Sequence, residues 1–280
     1  MKFFGKSSSN IEDARGSSGG GKAIGGGIGI LIVIVGMFFG KDLTGLVSEM
    51  PVGNSEQVDV QKGTPRDSLG IFVADVLEST DQVWKKQFET LGQSYEEPTL
   101  RLFTNGEQSG CGYANSAVGP FYCPADHKVY IDLEFYKEMK DRFGVNGDFA
   151  QAYVIAHEVG HHVQNLLGVS DKMQQARSSM SEKEYNKLSV KLELQADFYA
   201  GLWAHNAQSM KDIALDNGDL EEALNAANAI GDDKLQQQSQ GEVVPDAFTH
   251  GTSAQRMYWF KKGFETGDIS QGDTFKAGNL

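Results

Sequence analysis

The segment His157-Glu158-Val159-Gly160-His161 lies in a stretch of helical periodicity that ends near Gly168, with Asp148 as its predicted N-cap. Two histidines four positions apart on an α-helix lie about 40° apart around its axis, so both imidazoles can reach one Zn²⁺ ion. Glu158 can take a proton from water held by that ion and pass it to a leaving amine. The pattern predicts a zinc-dependent hydrolase; the alternative is an ordinary helix that exposes these side chains.

A catalytic zinc site has three protein ligands and one open position, so the two histidines need a third partner. Glu193 is a candidate because it lies in an apolar stretch of a long predicted helix, where an unpaired carboxylate is costly. Asp197, one turn later, can accept the free ring N–H of a ligand histidine. Lys191 offers Glu193 an ordinary ion pair instead, and spacing alone leaves both interpretations open. His162 points elsewhere on the helix and is predicted not to bind the ion.

H-E-x-x-H followed by E-x-x-x-D resembles the gluzincin pattern, and the chain is similar to a bacterial family of neutral zinc metallopeptidases that have one membrane span. The matching stretches follow in the expected order over most of the chain: the glycine-rich N-terminal tract and apolar run, Ser109-Gly110-Cys111-Gly112, Gly119-Pro120-Phe121-Tyr122-Cys123-Pro124, Tyr130-Ile131-Asp132-Leu133, and residues 157–164, 193–201 and 250–256. The resemblance implies a zincin-like peptidase domain with one Zn²⁺ ion held by His157, His161 and Glu193. It also implies a peptide or protein substrate.

A histidine near the C-terminus gains a role through the same resemblance. In gluzincins an imidazole or a phenol from a C-terminal segment supports the oxyanion of the tetrahedral intermediate, and His250 is the nearest match here. Position is the whole basis for this assignment, since a lone histidine beside glycine is otherwise typical of a surface turn. The predicted catalytic residues are therefore Glu158 and His250.

An uncharged apolar run at residues 23–39 follows a polar, Gly/Ser-rich tract at residues 1–22. It is predicted to cross a bilayer once as a helix, although five glycines weaken the helical signal. A signal peptide and a buried core helix are the alternatives. Basic residues precede the run and only Lys41 follows closely, which places residues 1–22 in the cytoplasm. The sequence thus predicts a single-pass protein of the bacterial inner membrane, with its catalytic domain in the periplasm or outside the cell.

The rest of the chain divides by composition and periodicity. Residues 40–66 are polar and contain prolines and glycines, which predicts a linker. A zinc metallopeptidase domain is predicted at residues 67–266, and a flexible tail at residues 267–280. The expected fold class of the domain is α+β, mostly helical, with a small sheet beside the motif helix. Capping patterns at Ser181, Asp219 and Ser253 predict further helix starts.

Short strands are predicted at residues 100–103 and 129–133. The second is predicted to offer a sheet edge to an extended peptide, with ordinary core as the alternative. Cys111 and Cys123 lie in the loop between these strands and have no C-x-x-C partner, so a zinc ribbon is not expected. A disulfide is favoured outside the cytoplasm, and free thiols are the alternative.

Composition excludes one class of partner and leaves two classes of function. The formal net charge is −13, the pI is about 4.9, and no block of basic residues is present, so no nucleic acid partner is expected. The first class is a hydrolase of peptides or of cell-wall amides. The second is a membrane-tethered scaffold stabilised by zinc, with the polar stretch at residues 231–241 as a partner loop. Glu158 favours the hydrolase, because a structural zinc site is closed by four ligands and needs no base.

Overall fold

The computed structural model describes residues 1–15, 60–115 and 118–278, which form a mixed α+β fold that is mostly helical. The α-helices are α1 (Ser68–Thr90), α2 (Glu134–Phe143), α3 (Asp148–Leu166), α4 (Val169–Arg177), α5 (Glu182–Ala207), α6 (Asp219–Ala229), α7 (Asp232–Gln240) and α8 (Ser253–Thr266). The strands are β1 (Lys2–Phe3), β2 (Ile11–Asp13), β3 (Gln61–Lys62), β4 (Thr99–Phe103), β5 (Gly106–Ser109), β6 (Gly112–Asn115), β7 (Phe121–Cys123), β8 (Lys128–Asp132) and β9 (Ile213–Ala214). Short 3₁₀ helices lie at Pro245–Ala247 and Ile269–Gly272.

The main sheet has five strands in the order β3-β2-β4-β8-β7. Its three central strands are parallel, and β7 pairs antiparallel with β8. Because β8 has a neighbour on each side, the prediction that residues 129–133 form a sheet edge is wrong. The edge on this side of the sheet belongs to β7, which is too short to show the alternation of a strand in its sequence.

Capping patterns locate some helix starts better than others. The capping box predicted at Ser181 is present at the start of α5. Asp148 and Asp219, however, are the first residues of α3 and α6 rather than their caps, and neither helix has a side-chain cap. At α8 the capping residue is Thr252, one position before the predicted Ser253. Residues that can cap a helix therefore fix its start only to within one position.

Small residues bring the central helices close together. The motif helix α3 packs against α5, which in turn packs along α8. A Cβ atom on Gly201 of α5 would lie 2.0 Å from the carbonyl oxygen of Phe260, so only glycine fits there. Gly160, between the two motif histidines, similarly faces α5, where a Cβ atom would lie 3.1 Å from the Ala196 carbonyl oxygen. This approach brings Glu193 within reach of α3.

Residues 1–15 belong to the same fold as residues 60–278. Strand β2 lies between β3 and β4, β1 pairs with β9, and Ile11 is buried in the core. The guanidinium of Arg15 forms an ion pair with Asp67, the N-cap of α1. As far as residue 15, these contacts contradict the prediction that residues 1–22 are a tail separate from the folded domain.

Truncation of Ile11 to alanine is expected to lower the free energy of unfolding by about 2–5 kcal/mol, the usual cost of emptying a core position. The side chain is only 1% exposed, so its loss leaves a cavity between the sheet and the helices. Urea denaturation of the whole chain measures the effect, with the exposed Lys6→Ala in the same segment as the control. An unchanged midpoint for Ile11→Ala would mean that residues 1–15 are not part of the fold.

Three further predictions concern the segments that flank the catalytic domain. Among the residues that the structure describes, no helix has both the length and the apolar character needed to cross a membrane. The span predicted at residues 23–39 and most of the linker at residues 40–66 lie outside them. The predicted flexible tail is wrong as far as residue 278, because Gln195 donates a hydrogen bond to the Gly272 carbonyl oxygen and Thr274 donates one to that of Lys191.

Candidate active site

His157, His161 and Glu193 come together where α3 packs against α5. The Nε2 atom of His157 lies 3.2 Å from one carboxylate oxygen of Glu193, and the Nε2 atom of His161 lies 3.4 Å from the other. The two imidazole rings are nearly perpendicular, with centroids 4.8 Å apart. Two imidazoles and one carboxylate converging in this way form a donor set that suits Zn²⁺.

Each histidine of this cluster is held through its other ring nitrogen. The Nδ1 atom of His157 lies 2.9 Å from the carboxylate of Asp197, and that of His161 lies 2.8 Å from the side-chain oxygen of Gln164. The amide nitrogen of Gln164 donates to a backbone carbonyl of α5, so its oxygen faces the histidine. With each Nδ1–H donated outward, the Nε2 lone pairs face Glu193 and can bind an ion.

Asp197 is buried at the centre of a hydrogen-bond network behind His157. Its carboxylate accepts hydrogen bonds from the Arg256 guanidinium at 2.9 and 3.0 Å and from the Tyr153 hydroxyl. Burial would raise the pKa of this carboxyl, but Arg256 and His157 outweigh burial and hold it at about 2. Asp197 therefore stays ionised and can orient His157. Sequence reasoning missed Arg256 and Tyr153 as partners, because no local pattern links positions on three different helices.

Glu158 borders the cluster and is 8% exposed. Within the part of the chain that the structure describes, its carboxylate makes no hydrogen bond. Burial raises the pKa of Glu158 above its usual value, although His161 and His157 act in the opposite direction. A buried carboxylate with a raised pKa is a better proton acceptor than one on the surface. Its position and its basicity both suit the role of a general base.

A cavity of about 590 Å³ opens onto the cluster. Its polar lining includes Glu158 and Arg256, and much of the remaining wall is apolar, with Phe121, Phe135, Phe143, Val154, Ile230 and Leu235. Because Phe121 and Tyr122 lie on β7, the sheet edge borders the cavity. An extended peptide can add to such an edge while one of its side chains enters the cavity.

His250 lines the same cavity and is fixed by Asp232, the fully buried first residue of α7. The Asp232 carboxylate accepts the backbone N–H groups of residues 249–251 at 2.7–3.0 Å and lies 3.2 Å from Nδ1 of His250. Burial lowers the pKa of His250, but Asp232 outweighs it, so that the pKa is raised. The polar stretch at residues 231–241, predicted as a partner loop, is instead largely helix α7.

The neighbouring His162 lies outside the cluster, as the sequence predicts. Its Nδ1 atom accepts from the Tyr122 hydroxyl at 3.0 Å, and its Nε2–H donates to the Glu96 carbonyl oxygen at 2.6 Å. Burial lowers the pKa of His162 to about 4. The neutral ring therefore connects α3 to the edge strand β7. A disulfide joins Cys111 to Cys123 and ties that strand to the turn between β5 and β6.

The fold is α+β, and its H-E-x-x-H helix packs against a second helix that supplies a glutamate. This arrangement places the chain in the class of H-E-x-x-H proteins. The chain belongs to the family described as "Putative neutral zinc metallopeptidase", which matches residues 1–275. It is 51% identical over 289 residues to the uncharacterized protein YpfJ of Escherichia coli K12, covering 98% of this chain and 99% of that protein. An uncharacterized protein of Mycobacterium tuberculosis H37Rv is 42% identical over 261 residues, covering 87% of this chain and 86% of that protein. No solved structure matches the chain.

Proposed function

We propose that the chain is a zinc-dependent metallopeptidase with a gluzincin-like, zincin-type domain. The observation that carries the proposal is the convergence of His157, His161 and Glu193 beside Glu158, a buried carboxylate with no hydrogen-bond partner among the described residues. Membership of the family supports zinc as the metal and a peptide as the substrate. The cluster contains three protein ligands among the described residues, the number typical of a catalytic zinc rather than a structural one.

Each group of residues in the cavity has a separate role in the proposed hydrolysis. His157, His161 and Glu193 would hold one Zn²⁺ ion, which when bound supplies Lewis acidity toward the attacking water and the scissile carbonyl. Glu158 accepts the proton of the attacking water and passes it to the leaving amine nitrogen. His250, oriented by Asp232, donates a hydrogen bond to the oxyanion as it develops.

The cavity suggests which peptides are cut. The β7 edge offers backbone hydrogen bonds to an extended substrate, and the apolar wall around Phe135 and Val154 favours a large apolar side chain beside the scissile bond. Backbone hydrogen bonds recognise the main chain of a substrate and not its side chains, so the preference for particular side chains depends mainly on the cavity. We therefore propose unfolded or extended polypeptides as the substrate class.

The function is tested by incubating the purified protein with a mixture of peptides of varied sequence and identifying new termini by mass spectrometry. We expect cleavage next to large apolar residues, loss of cleavage with a chelator, and recovery on addition of Zn²⁺. Cell-wall fragments are assayed in parallel, and cleavage confined to them would replace the peptidase proposal with that of a cell-wall amide hydrolase. A zinc-loaded protein that cuts neither class would favour a zinc-stabilised scaffold.

Replacement of His250 by alanine is expected to lower kcat about 100-fold, the usual effect of losing one oxyanion donor. Zinc content should remain that of the wild type, because His250 lies outside the ligand cluster. His250→Gln, which keeps a side-chain N–H donor, should recover part of the loss. Steady-state kinetics together with metal analysis measures both quantities. Loss of zinc in His250→Ala would instead make this residue a ligand and overturn its assignment.

We further propose that the catalytic domain lies outside the cytoplasm, where the disulfide between Cys111 and Cys123 can persist. Residues 1–15 would lie on the same side, because they pack in the same sheet. The apolar run at residues 23–39 remains the candidate for membrane attachment. Alkylation of the unreduced protein isolated from cells should leave both cysteines unmodified until a reductant is added. Free alkylation of both thiols without reductant would contradict this location.

A further inference from the structure

Strand β7 lies at one edge of the main sheet and is only three residues long, yet each of its residues is held by a different contact. The ring of Phe121 stacks on that of Tyr130 in β8, with centroids 4.8 Å apart. Cys123 is fully buried and forms the disulfide with Cys111. Tyr122, between them, is held by the motif helix α3. Because a short edge strand has few backbone hydrogen bonds of its own, these three contacts fix the part of the cavity wall that β7 forms.

The hydroxyl of Tyr122 makes two hydrogen bonds, and both go to α3. It donates to Nδ1 of His162 at 3.0 Å and accepts from the side-chain amide of Asn165 at 3.1 Å. His162 can accept through Nδ1 because its Nε2–H donates to the Glu96 carbonyl oxygen at 2.6 Å. His162 directly follows the cluster residue His161 in the sequence. One phenol therefore links the strand in the cavity wall to the part of the helix that carries the cluster.

These two bonds determine what Tyr122 can do. Its side chain lines the cavity, but its hydroxyl is already paired with protein groups rather than directed at a substrate. A peptide added to β7 is fixed by backbone hydrogen bonds to the strand, whereas its scissile carbonyl has to reach the metal cluster between α3 and α5. Both contacts form together only if β7 keeps its distance from α3.

We propose that Tyr122 is a positioning residue that sets the place of the β7 edge against α3, with His162 and Asn165 acting through its hydroxyl. A peptide paired with β7 then presents its scissile carbonyl to the metal cluster without further adjustment of the strand. This inference rests on the proposed function for its role, but the link between β7 and α3 does not depend on activity. The link should matter for substrates long enough to pair with β7 and not for shorter ones.

The kinetic test is Tyr122→Phe, which removes both hydrogen bonds and keeps the ring in the cavity wall. For a long, extended peptide we expect KM to rise about tenfold with kcat and zinc content unchanged, because the change weakens substrate and transition-state binding alike. The shortest peptide that the wild type cleaves should show no such rise. Tyr199→Phe, at a buried tyrosine that packs on Trp84 and does not line the cavity, is the matched control and should keep the wild-type KM. An unchanged KM in Tyr122→Phe, or an equal rise for long and short peptides, overturns the positioning role and leaves the peptidase proposal standing.

A second test does not use activity. Amide hydrogen exchange of the β7 segment is followed by mass spectrometry in the zinc-loaded whole chain. If the phenol holds β7, exchange there should be several-fold faster in Tyr122→Phe, and less so in Asn165→Ala, which removes one of the two bonds. Tyr199→Phe should exchange like the wild type. Wild-type exchange in Tyr122→Phe would refute the link, even in a protein that cleaves no peptide.

Discussion

Replacing Glu158 by glutamine is expected to lower kcat for peptide cleavage by about 10²- to 10⁴-fold, the range attributed to a general base. Glutamine has nearly the same shape as glutamate but cannot accept the proton of the attacking water. Zinc content and KM should change little, since Glu158 is not a member of the ligand cluster. Initial-rate kinetics, with metal analysis of the same preparation, measures all three quantities.

The matched control for this substitution is Glu221→Gln, which makes the same chemical change at an exposed position on α6 and should leave kcat unaltered. The comparison also separates the two classes of function. A catalytic site depends on its base, whereas a scaffold stabilised by zinc does not. A Glu158→Gln protein that cleaves peptides at the wild-type rate would exclude Glu158 as the base.

Replacing Glu193 by alanine is expected to abolish both zinc binding and cleavage. The substitution removes the one carboxylate of the cluster and leaves two histidines, fewer protein ligands than a catalytic zinc site normally has. Asp197→Asn should be milder, with zinc affinity lowered about 10- to 100-fold, because Asp197 contacts the metal only through His157. Titration of the metal-free proteins with Zn²⁺ measures the zinc affinities of the wild type and of the two variants.

Glu182→Ala, at an exposed position in the first turn of the same helix, is the control for Glu193→Ala and should bind zinc like the wild type. The order of the zinc affinities of the variants distinguishes the ligand from its outer partner. If Asp197→Asn lost more affinity than Glu193→Ala, the two residues would have to exchange the roles of ligand and outer partner. Equal and complete zinc binding by all variants would place the metal elsewhere.

The local chemistry of the site was predictable because the residues of a helix have fixed angular relations. His157, Glu158 and His161 lie four positions or fewer apart, so one helical turn determines their geometry. Glu193 and Asp197 lie on another helix, and spacing alone leaves open whether Glu193 is a metal ligand or part of an ion pair. Resemblance to a known pattern favoured the ligand, and the packing of α5 on α3 now brings both carboxylates to the histidines.

Contacts between distant segments could not be predicted in the same way. The Asp232 carboxylate holds the segment of His250 by accepting three backbone N–H groups, yet the polar composition around Asp232 predicts a loop. Arg256 likewise faces the site from helix α8, and nothing in its local sequence indicates this. Such residues are identified by burial and by partners, which one sequence does not contain.

The N-terminal segment shows how a correct local observation can lead to a wrong boundary. Residues 1–15 are polar on average and precede a glycine-rich tract, which indicates a tail when composition alone is considered. The short strand β2 nevertheless enters the middle of the sheet, because Ile11 fills a core position beside Leu100 of β4. A single buried side chain in a three-residue strand gives no periodic signal.

The central claim is that His157, His161 and Glu193 hold one zinc ion with a position open to water. Anomalous X-ray scattering at the zinc edge, from crystals of the zinc-loaded wild-type protein, tests it most directly. The account predicts one strong peak bonded to Nε2 of both histidines and to the Glu193 carboxylate, with at least one further position occupied by solvent. A peak enclosed by four protein ligands, or the absence of a peak between these three residues, would contradict it.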